Sequence, residues 1–155
     1  MIKSFLVLFG SLLIGTMTMA QSKDPVLEKN YSFSGASATK KSYRAIYQLD
    51  SNEPKVIEKA LRNINNVLQD PRLQGKLQIE LVAFAGGTEA YMKGSKYENE
   101  LKALVAKGVI VAQCGNTLKE RKISRDQLYD FIGIVPSANG ELIIRQAEGW
   151  AIIKP

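Results

Sequence analysis

From Ser42 to the C-terminus the chain alternates five times between short β-favouring runs and segments with apolar residues at helical spacing, and the connections are brief. A strand followed by a helix and then another strand has no hairpin, so the two strands must pair in parallel through a crossover. The pattern predicts an α/β fold, an open and mainly parallel sheet covered by helices on both faces. Once a leading segment is set aside, the remaining length suits one domain.

The individual segments support this. Ser42 to Leu49 is rich in β-formers and ends at the turn-formers Asp50, Ser51 and Asn52, which makes it the first strand. Pro54 opens a helix, with Ser51 or Asn52 expected as its N-cap, and Val56, Ile57, Ala60, Leu61, Ile64, Val67 and Leu68 form one stripe near a 3.6-residue period. Leu77 to Phe84 reads as the second strand, and Ala85-Gly86-Gly87-Thr88 as a tight turn. The second helical segment is broken at Gly94-Ser95, turns Leu101, Leu104 and Val105 inward, and ends at Gly108. Val109 to Gln113 is a third strand, an apolar run of the type buried on both faces of a parallel sheet, and Thr117 to Lys122 a short helix. Ser124 caps a further turn, and Ile134-Val135 is a brief fourth strand. Pro136-Ser137 opens a helix carrying Leu142, Ile143 and Ile144, and Trp150 to Ile153 closes the chain as a fifth strand.

The N-terminus has a different character. Lys3 precedes an apolar run from Phe5 to Ile14, and Thr18 and Ala20 stand at the small positions of a cleavage site. About ten strongly apolar residues are too few to span a bilayer as a helix. Residues 1–20 therefore read as a signal peptide cut after Ala20, with an exported, periplasmic product that keeps no membrane segment. Residues 21–40 are polar, without a sustained period, and read as a flexible leader to a domain over 41–155. Removing residues 1–20 takes away one lysine and no acid, so the net charge falls from +6 to +5. The basic residues are dispersed without aromatic interleaving, which argues against a nucleic-acid surface.

One cysteine and no histidine occur in the whole chain. This excludes the usual Ser-His-Asp and Cys-His machineries, an intramolecular disulfide, and any ordinary zinc site. No motif calls for a cofactor or a metal.

Ligands in open α/β sheets bind beyond the carboxyl ends of the strands. The reading above brings to that edge Asp50-Ser51-Asn52, Phe84 to Gly87, Gln113 to Thr117, and Pro136-Ser137. Cys114 is the candidate reactive group, and Gly115, Asn116, Thr117, Asn52, Gly86, Gly87 and Ser137 are candidate lining residues. Free main-chain amides at a helix start favour a thiolate, the nucleophilic form of cysteine. Lys119 and Arg121 add positive charge if the helix turns them inward. The reactive reading requires a sulfur open to solvent beside unpaired amides. Sealed among aliphatic neighbours with no polar contact and no path inward, Cys114 instead packs as a small hydrophobe. Glu89, Glu98 and Glu100 read as a solvated face, and Trp150 as core.

Several segments together resemble the DsrE/DsrF-like proteins, in particular their small single-domain branch. They are Gly94-Ser95 with Tyr97-Glu98, Leu101 to Leu104, Lys107-Gly108-Val109, Cys114-Gly115-Asn116-Thr117-Leu118, Val135-Pro136-Ser137 with Gly140-Glu141-Leu142, and Gln146 with Glu148-Gly149-Trp150. With the Tyr47-Gln48-Leu49 strand, the resemblance extends over nearly all of residues 42 to 155. It implies a three-layer α/β/α sandwich on a five-stranded, mainly parallel sheet, and homo-oligomers. It also implies a persulfide relay on a cysteine at the end of the third strand, the position that Cys114 matches. Where relatives often have a histidine near the end of the second strand, this chain has Phe84. The implied activity is at most sulfur transfer, with a sulfur donor or acceptor protein or a small sulfur compound as partner. Two other readings of the residues stay open: a non-catalytic oligomeric module that binds a small ligand or anion, with Cys114 structural, and a thiol redox sensor.

Overall fold

The structure, a computed structural model, describes residues 24–155. The signal-peptide reading over residues 1–20 lies outside the described residues. The chain divides into a unit ending at Ala36 and a unit from Ser37 to Pro155. In the first, the segment expected to lack a periodic pattern holds helix α1 (Pro25–Tyr31). Asp24 caps it by accepting from the Val26 amide at 2.9 Å, Pro25 pre-sets its first turn, and none of its residues is buried.

In the second unit, strands β1 (Tyr43–Leu49), β2 (Leu77–Ala83), β3 (Ile110–Cys114), β4 (Gly133–Val135) and β5 (Ala151–Ile153) form one sheet in the order β4-β3-β2-β1-β5. Every neighbouring pair is parallel, so the sheet is wholly rather than mainly parallel. Alternation along the strands sends Ala45, Tyr47, Leu49, Ile79, Leu81 and Val111 to one face, where the larger core lies. Ile46, Val82 and Cys114 go to the other.

The strand order explains this division. Three successive crossovers step in one direction from β1 to β4, and crossovers of one hand put their helices on one side of a sheet. Residues of α2 (Pro54–Leu68), α3 (Glu98–Ala106) and α4 (Gly115–Arg121) accordingly join the larger core. The fourth crossover returns across the whole sheet to β5, so α5 (Ala138–Ala147) packs on the opposite face, where Ala138, Leu142 and Trp150 meet Ile46, Val82 and Cys114.

Several local expectations are corrected. Proline fixes its φ and suits the first helical position. With Pro54 there, the N-cap of α2 is Glu53, and Ser51 instead accepts from the Glu53 amide at 3.1 Å. Val105 is exposed, as are Ile143 and Ile144, because no second helix packs over the outer sides of α3 and α5 among the described residues. Ile110, expected to be buried within its strand, is also exposed. Ala85–Tyr91 is a 3₁₀ helix rather than a single tight turn. The short helix after β3 begins at Gly115, two residues early, and there Gly115 passes so close to the Val135 carbonyl that a Cβ would lie 3.2 Å from it. Cys114 thereby becomes the last residue of a strand and the N-cap position of a helix.

One buried charge cluster ties α5 to the sheet. Glu80, on β2, is fully buried and receives Arg145 of α5 at 2.7 and 2.8 Å. Arg145 also meets Glu141 at 2.8 Å and lies over the Trp150 ring at 4.3 Å. The second carboxylate oxygen of Glu80 has no hydrogen-bond partner, and burial raises its carboxyl above the ordinary 4.5 despite the Arg145 charge.

Candidate functional site

The helix that leaves β3 lies on one face of the sheet and the helix that leaves β4 on the other. The carboxyl ends of these two neighbouring strands are therefore the topological switch point, where open α/β sheets leave a crevice. Cys114 and Val135, at those ends, are register partners. A cavity of about 360 Å³ opens there. One wall is the first two turns of α4, with Asn116, Thr117, Glu120 and Arg121, and another is the start of α5, with Ser137, Ala138 and Asn139. Phe84 and Ala85, just beyond β2, complete it, and Cys114 lies among these groups.

The end of β3 is held from within. The buried amide of Gln113 donates to Thr88 Oγ1 at 3.0 Å and to the Cys114 carbonyl at 3.1 Å. Ser137, the N-cap of α5, accepts from the Gly140 amide at 3.3 Å, which leaves the Ala138 N–H to point elsewhere. It donates to Cys114 Sγ at 3.3 Å.

Cys114 is 5 % exposed, so the expectation of a sulfur open to solvent is corrected. Its apolar neighbours belong to the smaller core, while amides reach it from the cavity side. Burial pushes the thiol up, but the Thr117 and Ala138 amides, the Thr117 hydroxyl and the Asn116 amide together outweigh it, and the thiol is held below its ordinary 9.0. Of these donors, Ala138 makes the well-aligned bond, whereas those in the first turn of α4 face the sulfur without cap geometry.

Of the residues expected to line a site, Asn116, Thr117 and Ser137 meet Cys114 at the cavity. Gly115 turns its backbone against Val135 instead. Asn52, Gly86 and Gly87 do not line it. The two glycines let the chain after β2 pass against the end of β1: a Cβ on Gly87 would fall 1.9 Å from the Leu49 carbonyl oxygen, and one on Gly86 would fall 2.8 Å from the Asn52 nitrogen. Arg121 turns inward, donating to the Ala85 carbonyl at 2.9 Å and pairing with Glu89, which is therefore not simply a solvated acid. Lys119 does not line the cavity. Trp150 is buried, as expected. Sequence reasoning missed the Ala138 amide, although a serine N-cap just beyond a strand was the available signal.

Among the described residues no cluster of three or more metal-ligating side chains occurs, and no helix is long and apolar enough to cross a membrane.

No curated protein matches the chain. Several solved structures share its fold. A protein of unknown function from Methanobacterium thermoautotrophicum, MTH1491, superposes with a TM-score of 0.69 at 29% identity, over 74% of this chain and 100% of that one. The ychN protein from E. coli gives 0.60 at 17% identity, over 74% and 99%. A conserved protein of unknown function from Bacteroides thetaiotaomicron, BT1422, gives 0.53 at 10% identity, over 72% and 94%. The family model described as DsrE/DsrF-like matches residues 43–155, from the first residue of β1 to the C-terminus, so with its all-parallel five-stranded sheet the chain belongs to the DsrE/DsrF-like family.

Proposed function

We propose that the protein carries sulfur on Cys114 as a persulfide. The family is linked to sulfur relay. The observation that carries the reading is the Ala138 amide donating to Cys114 Sγ at 3.3 Å beside a cavity large enough for a small sulfur compound. A thiolate so held attacks the outer, sulfane sulfur of a donor such as thiosulfate. An S–S bond forms to Cys114, the donor's S–S bond breaks, and sulfite leaves with the bonding electron pair, so charge and atoms balance without an added oxidant. The persulfide anion then occupies the cavity and is passed to an acceptor thiolate by the same substitution.

Export to the periplasm, cleavage after Ala20 and assembly into homo-oligomers form part of the same proposal. The first two rest on the basic, apolar and small-residue order of residues 1–20, and the third on the family.

Mass spectrometry after incubation with thiosulfate or polysulfide is the test. A one-sulfur adduct is expected on the wild type and none on Cys114→Ser. Absence of the adduct, or equal adducts on both, overturns the reading. A second reading, with Cys114 as a packing residue of an anion-binding module, is favoured by its 5 % exposure. Under that reading maleimide would react slowly at neutral pH, with no thiolate titrating below the ordinary value.

A further inference from the structure

One face of α4 forms a wall of the cavity beside Cys114. Asn116 and Glu120 stand four residues apart on it, as do Thr117 and Arg121, and side chains at that spacing lie one above the other on a helix. Two of these side chains are ionic, and their circumstances differ. Arg121 is engaged: it donates to the Ala85 carbonyl and pairs with Glu89, so its charge is matched by a carboxylate that does not itself line the cavity. Glu120 has neither an ion pair nor a side-chain hydrogen bond among the described residues, and the neighbouring cation Lys119 does not line the cavity. The charges of Glu89, Arg121 and Glu120 therefore sum to one negative.

Depth orders the two acidic groups of the cavity. Cys114 is buried, whereas Glu120, on the same wall, is exposed and stands towards the mouth. Six residues of α-helix separate them, a rise of about 9 Å. Substitution at a sulfane sulfur needs the attacking sulfur, the sulfane sulfur and the leaving group in line. A donor that offers its sulfane sulfur to Sγ thus keeps its leaving group, and the charge on it, on the cavity side, where the free carboxylate of Glu120 acts on it.

We propose that Glu120 sets the charge class of the sulfur donor: its uncompensated carboxylate in the cavity wall disfavours dianions such as thiosulfate and leaves the site selective for sulfane sulfur carried by groups of low net charge. The inference rests on the sulfur-carrier reading and narrows its substrate. Thiosulfate still loads Cys114, but against a repulsion that a singly charged organic thiosulfonate meets at half strength. In both cases a bond forms from Cys114 Sγ to the sulfane sulfur and the donor's S–S bond breaks. Sulfite leaves from thiosulfate, or a sulfinate from the thiosulfonate, with the electron pair, and the persulfide anion remains.

The test is the rate of one-sulfur loading by thiosulfate and by benzenethiosulfonate, in the wild type and in Glu120→Gln. Each rate is divided by the rate at which neutral iodoacetamide alkylates the same protein, which removes any change in the thiol itself. For a donor charge about 6 Å from the carboxylate in a water-like dielectric, Glu120→Gln should speed thiosulfate about tenfold and benzenethiosulfonate about threefold at low salt. Both gains should shrink towards none at high salt. Glu120→Lys changes the charge by twice as much and should raise the thiosulfate rate further still. Equal gains for the two donors, or gains that salt does not reduce, overturn the role of Glu120 and leave the sulfur-carrier reading standing. No adduct on the wild type from either donor overturns the sulfur-carrier reading itself.

Discussion

Replacing Arg145 with methionine removes the one cation that compensates Glu80 among the described residues while keeping most of the aliphatic stem. Glu80's side chain is 1 % exposed, and one of its oxygens already lacks a partner, so the carboxylate has no route to water once the guanidinium is gone. Breaking a buried pair from one side typically costs about 3–5 kcal/mol. A proton can take over from the guanidinium, and this limits the loss: neutralising a carboxyl costs about 1.4 kcal/mol per pH unit above its ordinary 4.5, roughly 3.4 kcal/mol at pH 7 and under about 1 kcal/mol at pH 5. Lost stacking on Trp150 adds about 1 kcal/mol at either pH. The sign follows from Glu80's raised folded value. The native state binds this proton more tightly than the unfolded chain, so this group's contribution to stability declines as pH rises from 4.5 through the folded value. Arg145→Met makes that decline steeper. Urea unfolding is the assay. A loss of about 3–4 kcal/mol at pH 7 should shrink to about 1–2 kcal/mol at pH 5. The double variant Glu80→Gln with Arg145→Met, which leaves no charge at that buried position, should recover at least half of the loss at pH 7. Equal losses at the two pH values, or a double variant no better than the single one, would refute the account.

Gly87→Ala puts a Cβ 1.9 Å from a main-chain oxygen that cannot swing aside, so a loss above about 4 kcal/mol, or no soluble folded protein, is expected by thermal unfolding. Gly75→Ala has nothing within 4 Å, although its φ is +70°, and should cost only about 1–2 kcal/mol in the same assay. Leu142→Ala opens a hole in the smaller core beneath α5 and should cost about 2–4 kcal/mol. Because α5 carries the Ala138 amide, the Cys114 alkylation midpoint should move upward in this variant, whereas an equally destabilising Leu104→Ala on the far face should leave it in place.

Periodicity made α2 legible from the chain alone: Ile57, Ala60, Leu61 and Ile64 recur at helical spacing and are buried together. The β-rich runs gave the strands within a residue or two. What periodicity does not carry is which surface meets each face, so Val105 reads as inward and stands outward. Nor does it carry strand order. The long return from β4 to β5 depends on tertiary packing, and it alone puts the start of α5 opposite α4 and brings the Ala138 amide to Cys114. The sulfur's position at a strand end was legible, but its burial and its main donor were not. Gly86 and Gly87 count as lining candidates because they follow the carboxyl end of a strand, but glycine also marks close backbone approach to another strand. Here the approach is to β1.

The return crossover has a consequence for the newborn chain. β1 to β4 can find their neighbours in the order in which they are made, whereas the last segment must travel from one sheet edge to the other before it closes the assembly. Until it docks, Cys114 lacks its best-aligned donor and keeps the sluggish chemistry of an ordinary thiol. Under the sulfur-carrier proposal, preparation of the thiol is thereby coupled to completion of the sheet.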